Sequence, residues 1–351
     1  MLNRAGDMQE HALVYHWRDL VCPACSCTLS LAGGSKNALI CIACSETFPI
    51  VNGIPRVLPK LYDVSSTPKG RTHSDEILQL QTAASFGFEW SHFSEMYPEW
   101  KGNFWDYMTP HKEESFRDKR ILDAGCGNGR HAYYAAQYGA EVWAVDISDA
   151  VEVAATNTRG NGVRVIQADL NYLPFREESF DLVYSIGVLH HLPDPERAFR
   201  YLLRFVKPGG EFRMFLYWAP EHQLLKRVLL KAVSALRMLT VRMPHWLLYP
   251  ISYAAAFLVW TCFVYPYRAF RRIPFLSKTA DRLPLRQYSR YPFRICVNDQ
   301  FDRLSAPVER RYSREQVEQF LKSGGLEEIN VFPNFGWVAF GRKPVNADVA
   351  A

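Results

Sequence analysis

The sequence predicts an α/β fold with an open, mostly parallel sheet, and three observations lead to that prediction. An apolar stretch, residues 121–124, runs into a glycine-rich turn followed by a helical segment, residues 130–138. Two further apolar stretches, residues 141–146 and 163–166, follow at the spacing of strands that alternate with helices. Acidic side chains stand at or just after the strand ends: Asp123, Asp146 and Asp169. Because ligands bind at the carboxyl ends of the strands in such sheets, we expect a binding crevice there.

The turn after the first strand reads Gly125-Cys126-Gly127-Asn128-Gly129, and its glycines allow a sharp bend and the close approach of a ligand. A dinucleotide loop would need a small residue where Arg130 stands, and Asp123 would repel a pyrophosphate. A cationic nucleoside without phosphate suits these residues better. The sequence therefore predicts S-adenosylmethionine as the cofactor.

These residues resemble the first motif of the class I S-adenosylmethionine-dependent methyltransferases, near the type-11 group that includes quinone-biosynthesis enzymes. The resemblance covers residues 85–218 and 310–342, and residues 179–194 and 207–215 match the family's fourth strand and the turn into its fifth. It implies a Rossmann-like fold with a seven-stranded mixed sheet whose final strand is antiparallel. It also implies that Asp146 binds the ribose and that Asp169 meets the adenine amine. The cofactor-binding set expected from it is Asp123, Gly125, Cys126, Gly127, Gly129, Asp146, Ile147, Asp169, Leu170 and Ser185.

Length and composition leave room for two domains, or for one domain with additions. The chain has 351 residues, of which 48% are hydrophobic, enough for a sizeable core. The segment Met1–Leu20 lacks the apolar stretch of a secretory signal, so we expect none. The expected division is a tail (1–19), a four-cysteine ribbon (20–60), a linker (61–75), a methyltransferase core (76–218 and 310–343) interrupted by a helical insertion (219–309), and a tail (344–351).

Four of the eight cysteines form two Cys-x-x-Cys pairs, Cys22 with Cys25 and Cys41 with Cys44. This is the ligand spacing of a tetrahedral zinc ribbon, and four thiolates close the coordination shell, so the zinc would be structural. A module of this size buries too little surface to fold alone, and a metal would supply roughly 10–16 kcal/mol. Unliganded thiols, or a ribbon that has lost its metal, are the alternative. Cysteines used in this way indicate a reducing, cytoplasmic setting.

The ribbon resembles the small zinc-ribbon proteins that activate tRNA and protein methyltransferases, and also the ribbon of certain ribosomal RNA guanine methyltransferases. The second resemblance suggests RNA as an alternative substrate. RNA-binding ribbons interleave basic and aromatic residues. Between residues 22 and 60 the only cations are Lys36, Arg56 and Lys60, and the only aromatic residue is Phe48. The ribbon is therefore a poor RNA platform, and nucleic acid is not the expected partner.

An aromatic-rich stretch, residues 86–107, precedes the first strand. In related methyltransferases a helix at this position covers the cofactor and forms one wall of the acceptor pocket. Phe88, Trp90 and Phe93 are the predicted wall residues. The alternative is that these rings belong to the core around the helix.

The insertion after the fifth strand is basic and apolar. Residues 221–290 hold 12 Lys or Arg against Glu221 and Asp281, a local charge of +10. Residues 224–241 have the apolar spacing of an amphipathic helix, and residues 246–267 are almost wholly apolar. Pro250 and Pro266 bracket 15 residues, about 22 Å of helix, which is short of a hydrocarbon core of about 30 Å. The insertion has two interpretations. It is either a helical hairpin that lies on an anionic membrane surface, or a soluble lid over a hydrophobic acceptor pocket.

Methyl transfer needs positioning, and a base where the nucleophile must lose a proton. His190 and His191 follow the fourth strand at the edge where the acceptor belongs, and they are the candidate catalytic residues, with His190 slightly preferred. The alternative is that the pair only packs in its loop. The polar segments 298–303 and 309–312 have two interpretations. They could supply contacts to the acceptor, or they could form a hydrogen-bonded brace within a loop, and we prefer the second.

The sequence thus predicts a methyltransferase that modifies oxygen or carbon of a small or lipid-linked hydrophobic acceptor. We expect it in the cytoplasm, with peripheral contact to the cytosolic membrane face as one possibility for the insertion. An RNA methyltransferase and a non-catalytic cofactor-binding scaffold are the alternatives.

Overall fold

The fold was obtained as a computed structural model, which describes residues 17–33, 37–58, 73–219, 224–281 and 283–345. Most of the predicted tails (1–19 and 344–351) and of the predicted linker (61–75) lies outside the described residues. The strands are β1 (Leu29–Leu31), β2 (Ala38–Cys41), β3 (Thr47–Val51), β4 (Ile54–Val57), β5 (Arg120–Ala124), β6 (Glu141–Asp146), β7 (Arg164–Ala168), β8 (Phe180–Ile186), β9 (Val206–Leu216), β10 (Glu327–Pro333) and β11 (Trp337–Arg342).

The helices alternate with the central strands. They are α1 (His73–His92), α2 (Trp100–Met108), α3 (Arg130–Gln137), α4 (Ala150–Asn157), α5 (Pro195–Leu203), α6 (Leu224–Thr240), α7 (His245–Val259), α8 (Tyr265–Arg271), α9 (Ser277–Ala280), α10 (Phe293–Ser305) and α11 (Arg314–Ser323). The predicted cap of α11 is present, since Ser313 and Gln316 exchange side-chain to backbone hydrogen bonds.

The central sheet has the order β7-β6-β5-β8-β9-β11-β10. Strands β5 to β9 are mutually parallel, while β11 is antiparallel to both β9 and β10. The order turns back at β5, where β6 lies on one side and β8 on the other, so a crevice opens at the carboxyl end of β5. This confirms the predicted Rossmann-like architecture and the antiparallel final strand.

The predicted number of strands was wrong, because the sheet has 11 strands and not seven. Strand β4 pairs in parallel with β7, with Val57 opposite Ala168, and β1 to β3 continue the sheet beyond it. The side chain of Arg56 donates to Gln167 Oε1 at 3.0 Å and forms an ion pair with Glu152. The cysteine module therefore extends the edge that β7 would otherwise leave unpaired.

Both faces of the central sheet are covered, as a parallel sheet requires. Successive residues of β5 point to opposite faces, so Leu122 packs in a core with α5 and α11, while Ile121 packs in a second core with α2, α3 and α4. Both side chains are fully buried. This two-sided burial explains why the strand sequences are continuously apolar.

The insertion differs from the prediction in two respects. Its apolar helix does not stop at the prolines: α7, a π-helical turn (Trp260–Val264) and α8 form one run of 27 residues, His245–Arg271. At 1.5 Å per residue this run is about 40 Å long, so the predicted shortfall against a hydrocarbon core was wrong. Residues 293–305 form helix α10 and not a loop brace, because Val297, Phe301 and Leu304 are buried at helical spacing against α7 and α1.

Candidate functional site

The glycine turn lies at the centre of the crevice. Gly125, Gly127 and Gly129 have φ values of +89°, +51° and +80°, a region that side chains disfavour. A Cβ on Gly125 would stand 2.4 Å from Val188, and one on Gly127 would stand 2.8 Å from the indole nitrogen of Trp90. The turn therefore needs glycine both for its conformation and for the close cover above it.

Gly129 provides the close helix packing for which a dinucleotide loop uses a small residue at position 130. A Cβ on Gly129 would lie 3.0 Å from Ala154 Cα and 3.1 Å from Thr158 Cγ2, so α3 and α4 meet closely here. The next residue, Arg130, is free to place its guanidinium over the rings of Trp90 and Trp100, 4.9 and 4.7 Å from their centroids. Cys126, the remaining predicted loop residue, is buried, with its thiol 3.8 Å from Gly127 O.

Asp123 is the carboxylate nearest the turn, and it is 1% exposed. Its Oδ2 has no hydrogen-bond partner among the described residues. Burial raises the pKa of Asp123 to about 7, and the Tyr184 hydroxyl opposes part of that shift while Asp146 adds to it. A buried carboxylate oxygen without a donor is costly, and a cationic ligand group would supply the partner that Oδ2 lacks. The Asp123 carboxylate therefore fits the ammonium or sulfonium of S-adenosylmethionine.

Asp146 ends the neighbouring strand and braces the turn. Its Oδ2 accepts a hydrogen bond from Gly127 N at 3.0 Å, and its Oδ1 accepts from Ser148 N and Oγ at 2.9 and 2.7 Å. Burial raises the pKa of Asp146, and these donors act in the opposite direction. A carboxylate has about four lone-pair sites, so capacity for a further donor remains. Ile147, the next predicted residue, is half-buried beside it.

The other predicted cofactor residues lie along the same edge. Asp169 follows β7, and its Oδ1 accepts from the backbone and side chain of Asn171 at 2.8 and 3.0 Å. Leu170 is buried beside it. Ser185 is fully buried in β8, and its hydroxyl donates to Ala124 O at 2.9 Å. Its hydrogen bond thus ties β8 to β5 directly beneath the turn.

The predicted histidine pair forms a 3-10 turn (Leu189–His191) after β8, and both residues are buried. The ring centroids of His190 and Tyr217 lie 4.0 Å apart, with the two planes tilted by 35°. Burial lowers the pKa of His190 well below its usual value, and His191 and Arg311 act in the same direction. His191 Nδ1 lies 2.6 Å from Val308 O, and Nε2 lies 4.0 Å from Asp302 Oδ1. The two histidines therefore have different surroundings, although they are neighbours in sequence.

The three predicted wall aromatics lie on α1 but do not share one environment. Trp90 covers the glycine turn, whereas Phe93 is buried against the insertion, with its ring 5.6 Å from Tyr249. Phe88 stacks 5.4 Å from Phe301 of α10. Helix α1 thus spans from the turn to the insertion, and Phe88 and Phe93 serve as packing between α1, α7 and α10.

Sequence reasoning missed several residues at this site: Glu89, Arg130, Tyr184, Val188 and Tyr217. Asn298 and Asp302 lie in the polar segment 298–303 that the sequence had singled out. Glu89 is buried on α1, where its Oε1 accepts from Asn298 Nδ2 at 3.0 Å, while its Oε2 has no partner among the described residues. Burial and the charges of Asp302 and Asp299 raise the pKa of Glu89 well above its usual value. An acidic residue in an otherwise aromatic helix face was the one sequence signal for it.

The four predicted zinc ligands come together. The Sγ atoms of Cys22 and Cys44 are 3.6 Å apart, those of Cys25 and Cys41 3.4 Å, and all four lie within 4.8 Å of one another. Four sulfurs at about 2.3 Å from a tetrahedral zinc are about 3.8 Å from each other. Each pair is followed by a serine with positive φ, Ser26 and Ser45, whose amide bonds back to the first cysteine of its pair. The residues therefore fit a zinc ion.

Comparison with known proteins agrees with this geometry. Residues 122–214 match a family described as a methyltransferase domain. Ubiquinone biosynthesis O-methyltransferase of Pseudomonas fluorescens (strain SBW25) is 37% identical over 97 residues, which are 26% of this chain and 42% of that protein. The tRNA U34 carboxymethyltransferase of Trichlorobacter lovleyi is 28% identical over 189 residues, 47% of this chain and 56% of that protein.

The chain spans only about two fifths of the length of the first of these relatives. Among solved structures, the YcgJ protein of Bacillus subtilis is 28% identical over 42% of this chain and 59% of its own, with a TM-score of 0.32. The names of these relatives refer to ubiquinone biosynthesis in one case and to tRNA U34 in the other. The family match covers residues 122–214, the part of the chain that holds the glycine turn and its acidic residues.

Proposed function

We propose that the protein is an S-adenosylmethionine-dependent methyltransferase acting on a hydrophobic, lipid-linked acceptor at a membrane surface. The observation that supports it most directly is Asp123, a buried carboxylate with one unpartnered oxygen beside a turn of three glycines with positive φ. When bound, the cofactor would supply a methyl group already activated by a sulfonium. Asp123 would hold its ammonium, Asp146 its ribose hydroxyls, and Asp169 with Leu170 its adenine.

Calorimetry tests the cofactor assignment. We expect the protein to bind S-adenosylmethionine and S-adenosylhomocysteine. Asp123→Asn should weaken the binding of both more than tenfold, because both carry the ammonium and a hydrogen bond to a charged group contributes roughly 1.5–3 kcal/mol. Glu114→Gln, which changes an exposed carboxylate away from the turn, is the matched control. Binding of NAD without binding of either adenosyl compound would refute the assignment.

The outer surface of the insertion supports the membrane part of the proposal. Among the described residues, six of the nine large apolar side chains that are at least 60% exposed lie in it: Met238, Leu239, Trp246, Phe257, Leu258 and Phe275. Only 28% of the most apolar 18-residue stretch of His245–Arg271 is buried. Each such side chain contributes roughly 1.5–3 kcal/mol when it leaves water.

Exposed cations lie in the same segment, which favours an anionic surface as the partner. Arg227, Lys231, Arg242, Arg272 and Lys278 are exposed. A basic residue near an anionic leaflet adds about 1 kcal/mol. The inner side of α7 packs on α1 and α10, and β9 and β11 pair with each other across the insertion. A spanning helix would separate these strands from each other, so peripheral contact fits and crossing does not.

Vesicle flotation tests the surface. We expect the intact protein to float with phosphatidylglycerol vesicles and to remain behind with phosphatidylcholine vesicles. A Trp246→Asp, Phe275→Asp double variant should stay in the soluble fraction, while Phe335→Asp, which changes an equally exposed ring outside the insertion, should still float. If the intact protein does not float, the soluble lid is the better interpretation of the insertion.

The tRNA-acting relatives make RNA the second candidate acceptor. Labelled S-adenosylmethionine incubated with separate lipid, metabolite and RNA fractions decides between them. We expect label in the lipid fraction. Label in RNA alone would favour the second candidate, and cofactor binding without transfer to any fraction would leave a non-catalytic scaffold.

We also propose that Cys22, Cys25, Cys41 and Cys44 hold a structural zinc ion. Its role would be to fix the two cysteine turns and so the edge that β4 adds to the sheet. Elemental analysis of the purified protein should give about one zinc per chain. A protein that folds fully, with all four thiols free to react, would contradict this.

A further inference from the structure

The loop between β6 and α4 consists of Ile147, Ser148 and Asp149, and a side chain of the neighbouring strand β7 holds it. The side-chain nitrogen of Gln167, Nε2, donates to Ile147 O at 3.0 Å and to Asp149 Oδ1 at 3.2 Å. Between these two residues, Ser148 N and Oγ donate to Asp146 Oδ1 at 2.9 and 2.7 Å. Gln167 therefore fixes the loop from which the donors to Asp146 come.

Arg56 of the cysteine module favours the orientation of the Gln167 amide that holds this loop. Arg56 Nη1 donates to Gln167 Oε1 at 3.0 Å. A guanidinium has only donors, so the amide turns its oxygen toward Arg56 and its nitrogen toward the loop. A rotated amide would lose the bond to Arg56 and would place its oxygen against Ile147 O. Arg56 and the loop thus select the same orientation of Gln167.

The pairing of β4 with β7 brings Arg56 to this position. Arg56 stands opposite Gln167 in the parallel register, although 111 residues separate them in sequence. The next pair, Val57 and Ala168, packs in the core with α5 and α11. Side chains alternate along a strand, so Arg56 and Gln167 point to the other face, which α4 covers. There Arg56 Nη2 forms an ion pair with Glu152 of α4. The guanidinium thus joins the module to the strand and to the helix that border the loop.

We propose that Arg56 is a positioning residue for the cofactor, acting through Gln167 on the loop that orients Asp146. This inference rests on the proposed function, in which Asp146 holds the ribose hydroxyls. The hydrogen bonds along this path are 2.7 to 3.2 Å long, and the backbone of the loop links them. The cysteine module therefore takes part in cofactor binding in addition to extending the sheet.

Two substitutions separate this role from simple attachment of the module, to which the ion pair with Glu152 also contributes. Glu152→Gln removes the ion pair and leaves the bond between Arg56 and Gln167. Gln167→Glu keeps an oxygen for Arg56 but turns a second oxygen toward the loop, where the partners are also acceptors. In this variant the module stays attached while the loop loses its donor.

Calorimetry of the full-length protein with S-adenosylhomocysteine as the probe tests the proposal. Arg56→Met and Gln167→Glu should each weaken binding roughly 3- to 30-fold, the range for substitutions that act without touching the ligand. Glu152→Gln is the matched control and should bind as tightly as the unmodified protein. Gln167→Glu carries the test if Arg56→Met does not fold. Full affinity of either test variant, or an equal loss in the control, would overturn the proposal.

A ribose analogue gives a readout that general destabilisation would not change. The unmodified protein should prefer S-adenosylhomocysteine to its 2′,3′-dideoxy analogue, which lacks the hydroxyls for Asp146. Arg56→Met should reduce this preference, because a displaced Asp146 gains less from the hydroxyls, whereas loss of the module's fold would weaken both compounds alike. An undiminished preference in Arg56→Met would overturn the inference alone. Failure of the unmodified protein to bind S-adenosylhomocysteine would refute the proposed function itself.

Discussion

The burial of Asp123 predicts an unusual pH dependence of stability. Its pKa rises from 3.8 to about 7 in the folded protein. Since the folded pKa lies above the unfolded one, the native state holds the proton more tightly, and stability is lost as pH rises from about 4 to above 7. A shift of this size corresponds to about 4 kcal/mol at high pH, with 1.36 kcal/mol for each pH unit.

Asp123→Asn removes this charge while nearly keeping the shape of the side chain. The variant should be more stable than the natural protein by about 2 kcal/mol at pH 5.5 and by about 4 kcal/mol at pH 8.5. The gap therefore widens by about 2 kcal/mol across this range. Guanidinium unfolding followed by fluorescence at the two pH values measures it, with Glu114→Gln as the control that should show no such trend.

The same variant separates stability from function. Ionised Asp123 is needed to hold a cation, so the affinity of the natural protein for S-adenosylmethionine should rise about tenfold per pH unit below pH 7 and then level off. Asp123→Asn should bind weakly, without this trend. A stability gap that is equal at both pH values, or an affinity that survives the substitution, would refute the account of this carboxylate.

Three further outcomes are expected. Gly127→Ala should reduce cofactor affinity, measured by calorimetry, at least tenfold, because the new Cβ would meet Trp90 at 2.8 Å. Gly160→Ala controls for backbone strain, since Gly160 also has a positive φ but its Cβ would have open space. Ser313→Ala should cost about 1 kcal/mol of unfolding free energy through loss of the helix cap, and an unchanged denaturation midpoint would contradict that role. Cys44→Ser should abolish zinc retention and lower the melting temperature, whereas retained metal would show that three thiols suffice.

Local sequence patterns predicted the parts of the site that depend on neighbouring residues. The glycine turn, its acid and the cap of α11 are each set within a few positions, so their geometry can be read from residue type and spacing. The Cys-x-x-Cys pairs are of the same kind, since each turn places two thiols together by itself. That both turns converge on one point follows from the pairing of β1, β2 and β3.

Contacts over long sequence separations were decided by the tertiary structure. The sheet has 11 strands because β4 pairs with β7, with Val57 opposite Ala168. A local sequence pattern does not predict a pairing partner more than 100 residues away. Pro250 and Pro266 looked like helix ends, but Pro266 stands in the first turn of α8, where its missing N–H costs little. Asp302 is a polar residue among others in the sequence, and only the packing of α10 against α1 and α7 places it beside His191.

The sequence by itself determined the α/β class, the glycine turn with its acidic residue and the spacing of the cysteines, because these depend on short-range backbone geometry and on residue type. The tertiary structure decided which histidine faces a carboxylate, where the cysteine module attaches and which side of the insertion stays exposed. Those features depend on which surfaces become buried against each other, and burial is a property of the whole packed chain.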